Sequence, residues 1–156
     1  MQKIATHLWF DTQAVEAAEF YTSIFPNSRI VEVQRFPGGT PDGGEISVVV
    51  FELEGQLYYG LNAGPEFKFN EAISLYVHCE TQEEVDTYWD RLLEGGGEPG
   101  PCGWLKDRYG LSWQIVPNAL TRMGTDPDKE KATRVMQAMM RMSKLDIKEL
   151  EAAYHG

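Results

Sequence analysis

The chain has 156 residues, 42% apolar and 24% charged, and its 24 acidic against 14 basic side chains leave a formal charge of -10. That length buries one hydrophobic core without disulfide staples, and the composition is far from that of disordered chains. The negative field excludes nucleic acid as a partner class, and no apolar run approaches the roughly 18 residues of a membrane span.

The opening segment MQKIATHLWFD lacks the blocks of a secretory signal, and Cys79 and Cys102 form no C-x-x-C pair. A cytoplasmic, reducing location is therefore expected, with neither a zinc site nor a redox motif. Residues 4 to 10, IATHLWF, read as a strand, and Asp11 and Thr12 offer a turn and a helix N-cap. In QAVEAAEFYTSIF, the residues Ala17, Phe20, Tyr21 and Ile24 form one apolar stripe, which Pro26 and Asn27 close. Three strands follow, RIVEVQRF, EISVVVFEL and QLYYGLNAG, separated by PGGTPDGG and Glu54-Gly55.

After the loose connector PEFKFNE the order repeats. AISLYVHCE reads as a strand, and Thr81 with Glu84 makes a capping box. Val85, Trp89, Leu92 and Leu93 form the next helical stripe, which Gly95-Gly96-Gly97 ends. PCGWLKD and LSWQIVP then pair around Arg108-Tyr109-Gly110, with only a stub of strand before them. The tail is helical. Asp126-Pro127 starts one helix, with a stripe of Val135, Met136, Met139 and Met140, and Asp146 with Glu149 starts another. Such a Met stripe covers a sheet or forms a dimer seam.

The segments HLWFDTQAVEAAEFYTSIFPNSRI, LNAGPEFKFNEAISLYVHCETQEEVDTYWDRLLEGGG and CGWLKDRYGLSWQIVP, in that order, resemble the vicinal oxygen chelate superfamily. This is the glyoxalase, bleomycin-resistance and dioxygenase-like group; the nearest likeness is its PhnB-like branch, which often carries the label 3-demethylubiquinone-9 3-methyltransferase. The resemblance implies an α+β fold. Two paired strand-helix-strand-strand modules would form a curved sheet cup over residues 1–117, module one being 1–64 and module two 72–117, with a C-terminal helical extension over 118–156.

Strand alternation sends Leu8 and Phe10 to the first helix and leaves His7 and Trp9 facing the cup. In module two it sends Leu75 and Val77 to the helix and leaves Ser74, Tyr76 and His78 on the cup side. Gln114, between Trp113 and Ile115, faces the cup as well. Metal-dependent members of the superfamily hold a divalent ion with His and Glu from four strands. By resemblance those positions fall on Ala5 or His7, on Gly60 or Asn62, on Ala72 or Ser74, and on Gln114. This set is poor in the imidazole and carboxylate that transition metals prefer, so no metal and no cofactor are expected.

The glycine clusters fit turns and a helix stop better than a methyl-donor site, which places a Gly-rich turn between a parallel strand and a helix. Methyl transfer is therefore not expected despite the label. No spacing brings a base to Cys102, and Glu45, Glu52 and Glu54 read as surface charge, so the catalytic residues stay unassigned. The expected function is small-molecule binding by His7, Trp9, Asn62, Ser74, Tyr76, His78, Cys102, Trp104 and Gln114, in a chain that forms a homodimer. The alternatives are a divalent-metal isomerase or dioxygenase and a drug-sequestering resistance protein.

Overall fold

Strands of alternating apolar residues, the first of each unit followed by an amphipathic helix, build two units of the same order, which a computed structural model describes for residues 2–156. Met1, the first residue of the module-one range, lies outside the described residues. The chain divides into one unit ending at Phe69 and a second from Asn70 to Gly156.

The first unit contains β1 (Thr6–Phe10), α1 (Ala14–Ile24), β2 (Arg29–Phe36), β3 (Ile46–Leu53) and β4 (Gln56–Asn62). Its sheet has the order β1-β4-β3-β2, with β1 parallel to β4 and the other pairs antiparallel. Leu8, Phe10, Val49 and Phe51 are buried on the helix side, where α1 contributes Ala14, Ala17, Ala18, Tyr21 and Ile24. Phe20, expected in that stripe, is only half-buried, because the small alanines form the contact line instead.

Gly60 permits the close approach of α1. A Cβ there would lie 3.0 Å from Val49 Cγ1 and 3.3 Å from the Ala14 Cβ. Asp11 and Thr12 do not cap α1. Gln13 holds the cap position without a side-chain bond, and the Ala14 N–H donates instead to Asn62 Oδ1 at 2.8 Å. A long-range amide thus satisfies one of the helix's orphan donors.

The second unit contains β5 (Ser74–Cys79), α2 (Gln82–Leu93), β6 (Glu98–Pro99), β7 (Trp104–Lys106) and β8 (Ser112–Pro117). Their order in the sheet is β5-β8-β7-β6, with β5 parallel to β8. The Thr81 side chain accepts the Glu84 N–H at 3.2 Å, while Glu84 Oε1 accepts the Glu80 N–H at 3.0 Å. The reach back is therefore one residue beyond the N-cap. Trp113, Ile115 and Leu105 point toward α2 and are 2%, 0% and 1% exposed.

The β7–β8 turn is organised by Asp107, a buried carboxylate. It accepts from the Tyr109 N–H at 2.8 Å, the Leu111 N–H at 3.1 Å and Trp113 Nε1 at 2.9 Å.

Three helices close the chain: α3 (Asn118–Gly124), α4 (Lys129–Met139) and α5 (Ile147–His155). The first of these adds to the two C-terminal helices that the sequence pattern predicts. The second starts later than Asp126-Pro127 implies, because Asp128 accepts the N–H groups of Glu130 and Lys131. Asp146 caps α5 as expected, accepting the Glu149 N–H at 3.0 Å. Val116, Leu120, Val135, Leu145 and Leu150 form the core of this region, with Met139 against it, whereas Met136 and Met140 are exposed. The Met stripe thus serves packing on one side only. No helix among the described residues is long and apolar enough to cross a membrane.

Candidate functional site

Register decides which side chains share a face. In the second unit Tyr76 lies opposite Gln114 on β8, and Gln114 lies opposite Trp104 on β7. Ser74 and Lys106 likewise flank Ser112. Since neighbours in register point the same way, Ser74, Tyr76, His78, Trp104, Lys106, Ser112 and Gln114 share the face turned away from α2. Gln114 Nε2 donates to Ser74 Oγ at 3.0 Å, and the rings of Tyr76 and His78 are 4.7 Å apart. Val116 continues the row but is buried by the C-terminal helices, which close that end of the face.

A cavity of about 490 Å³ opens beside this row, lined by Glu98, Cys102, Trp104, Lys106 and Ser112 among others. Its volume is in the range that holds a drug-sized molecule. The tail shapes its wall. Cys102 N–H donates to the Met142 carbonyl and Gly103 N–H to the Ser143 carbonyl, both at 2.8 Å. Ser143 Oγ completes the clamp, donating to the Gly100 carbonyl at 2.7 Å. Cys102 takes the left-handed backbone at φ 59°, and its Sγ lies 3.7 Å from Met140 Sδ.

Two features of the cavity were not apparent in the sequence. Ser112 is 1% exposed, and its hydroxyl is the one buried side-chain N or O atom without a hydrogen-bond partner among the described residues. Leaving a buried hydroxyl unpaired costs about 1–3 kcal/mol. The Lys106 ammonium is ion-paired with Glu71. Its hydrogen bond and charge hold the Glu71 carboxyl below the usual range, and Glu71 first, with Glu98 adding to it, raises Lys106.

In the first unit His7 and Trp9 point away from α1, on the side opposite the buried Leu8 and Phe10. His7 is exposed and stacks on Tyr59 with ring centroids 6.0 Å apart. Trp9 is half-buried. Its Nε1 donates to the Gly64 carbonyl at 2.9 Å, and Phe67 meets its ring edge-on at 4.8 Å.

Asn62 corrects the expectation that it orients a ligand alongside Gln114 and Ser74. It lies in register with Phe10, on the α1 side, and its amide is engaged by Ala14 and by Ser47 Oγ at 3.3 Å. Gly60 shares that side. The carried-over metal positions on β4 therefore face the helix, and of the whole set only His7 is a strong ligand. Among the described residues no group of three or more His, Cys, Asp or Glu is placed to hold a metal ion. Cys79 is fully buried, and burial, then the Glu84 charge, pushes its thiol up to about 12.

Residues 2–116 match the family model described as 3-demethylubiquinone-9 3-methyltransferase. Among solved structures, the chain is similar to the PhnB protein of Bacillus cereus, which carries the same methyltransferase description. Identity is 37% over 74% of this chain and 99% of that one, with a TM-score of 0.63. The fosfomycin resistance protein FosX of Listeria monocytogenes is 15% identical over 78% of this chain and 94% of that one, with a TM-score of 0.54. FosX complexed with Mn(II) and sulfate is 18% identical over 72% and 90%, with a TM-score of 0.50. These last two likenesses are of fold alone, and they identify the architecture as the glyoxalase-like α+β fold with C-terminal helices. No curated protein matches the chain.

Proposed function

The chain belongs to the 3-demethylubiquinone-9 3-methyltransferase, or PhnB-like, family of the vicinal oxygen chelate superfamily, and from that premise we propose that it binds a small molecule on the β5–β8–β7 face of its second unit without using a metal. The observation that carries this reading is the cavity beside Trp104, whose lining includes a buried hydroxyl with no partner among the described residues. Trp104 and Cys102 line that cavity, and on the same face of the sheet beside it Tyr76 and His78 supply ring surface while Ser74 and Gln114 fix a polar group. His7 and Trp9 offer a second ring surface on the first unit. The donor set supports a metal-free site, since one imidazole among Ala, Gly, Asn, Ser and Gln does not make a transition-metal centre.

Methyl transfer, named in the family's description, is not part of this reading. Gly38, Gly43 and Gly95 adopt positive φ in turns and at a helix end, which accounts for the glycines without a methyl-donor loop. Homodimerisation in the cytoplasm belongs to the reading. β2 is an edge strand of its own sheet and exposes Val31, Val33 and Phe36, an edge that a second copy would cover. Light scattering is expected to give a dimer at micromolar concentration, and a monomer would count against assembly.

Native mass spectrometry with elemental analysis tests the whole reading. A carried small molecule and no stoichiometric transition metal are expected. A tightly bound zinc, manganese, nickel or iron per chain would overturn it.

A further inference from the structure

We propose that the second-unit cavity takes a neutral or cationic ring compound that exchanges a hydrogen bond with Ser112, and that it discriminates against carboxylates. The inference rests on the binding role proposed above and adds the ligand's class. Glu71, Glu98 and Lys106 are the charged residues of the lining, two carboxylates against one ammonium. That ammonium is already paired with Glu71, and Glu98 adds to the negative field around it. An entering carboxylate therefore finds the one cation of the lining already paired, and it meets two like charges beside it.

An entering ammonium meets the opposite situation. Glu98 is in no ion pair among the described residues, though it lies opposite Lys106 in register, and Trp104 lines the same cavity with a ring of the kind that takes a cation or an apolar group. The chain's charge of -10 acts in the same direction at longer range.

Ser112 supplies the second, independent observation. It lies between Ser74 and Lys106 in register, on the cavity side of β8, and its hydroxyl is the buried side-chain N or O atom left unpaired among the described residues. The Glu71–Lys106 pair spans the same end of the sheet. A ligand N–H or O–H that reaches the hydroxyl satisfies a group the fold leaves unsatisfied.

Three probes that share one ring system test this by isothermal titration at pH 7: 1-naphthylmethylamine, 1-naphthalenemethanol and 1-naphthoic acid. The amine and the alcohol are expected to bind at least about tenfold more tightly than the acid. Glu98→Gln should weaken the amine and leave the alcohol unchanged. Ser112→Ala should weaken amine and alcohol together by roughly three- to tenfold. Tighter or equal binding of the acid overturns the inference while leaving the binding site standing. So does a Ser112→Ala protein that binds all three as the parent does. If no probe binds the parent better than it binds Trp104→Ala, the site itself is misassigned, and the inference falls with it.

Discussion

Replacing Asn62 with Ala tests whether this amide holds the first unit together or serves a ligand. Its Oδ1 accepts the first N–H of α1 at 2.8 Å and its Nδ2 donates to Ser47 Oγ at 3.3 Å, both partly buried. Loss of an N-terminal helix cap costs typically about 1 kcal/mol. The second hydrogen bond adds roughly 0.5–1 kcal/mol. Asn62→Ala should therefore lower stability by about 1–2 kcal/mol, read as a lower urea midpoint at unchanged m-value. For a chain of this size that is roughly 2–8 °C in Tm.

Asn62→Asp keeps the acceptor and places a negative charge at the positive end of α1, so its loss should stay below about 0.5 kcal/mol. The pair of variants separates capping from bulk packing. If Asn62→Ala unfolds within about 0.3 kcal/mol of the parent, a value at which a lost cap would not go unnoticed, the structural assignment fails.

Other outcomes follow from single contacts. Asp107→Ala orphans three donors around a buried site and should cost on the order of 3 kcal/mol in urea unfolding; a loss below about 1 kcal/mol would refute its organising role. With Ellman's reagent at pH 8, Cys102 should react in the native protein while Cys79, buried and with its thiol pushed up to about 12, reacts only on unfolding; labelled Cys79 in the native state would contradict this. The Glu71 carboxyl should titrate below its ordinary 4.5, because Lys106 favours the charged form. The pair's contribution is then in place above 4.5 and is lost as pH falls through the lowered value, and Lys106→Met should return the carbon-13 titration midpoint of Glu71 toward 4.5.

What was legible in the sequence was whatever depends on near neighbours. Alternation placed Leu8 and Phe10 opposite His7 and Trp9, and Trp113 and Ile115 opposite Gln114, because strand side chains repeat every two residues. Thr81 with Glu84 and Asp146 with Glu149 announced their helices because each cap lies three residues from its partner. Asn62 was misplaced for the opposite reason. Its partner Ala14 is 48 residues away, and nothing local says that a strand-end amide will cap a distant helix. Asp126-Pro127 and Asp128 are adjacent candidate caps, and it is the Asp128 side chain that accepts the Glu130 and Lys131 N–H groups.

Asp107 carries a local signal, since an Asp six residues before a Trp across a β-turn is within reach of the indole N–H. Ser112 left no such trace. A missing partner is visible only once every neighbour has been positioned.

The central claim is that the β5–β8–β7 face binds a small molecule through groups such as Gln114. Its most direct test takes the small molecule carried through purification and measures its rebinding to the parent and to Gln114→Leu. The variant should keep the parent's unfolding midpoint within about 0.5 kcal/mol and bind about fivefold more weakly, the equivalent of one hydrogen bond of ~1 kcal/mol. A Gln114→Leu protein that binds that molecule as tightly as the parent, or that fails to fold, would contradict the account.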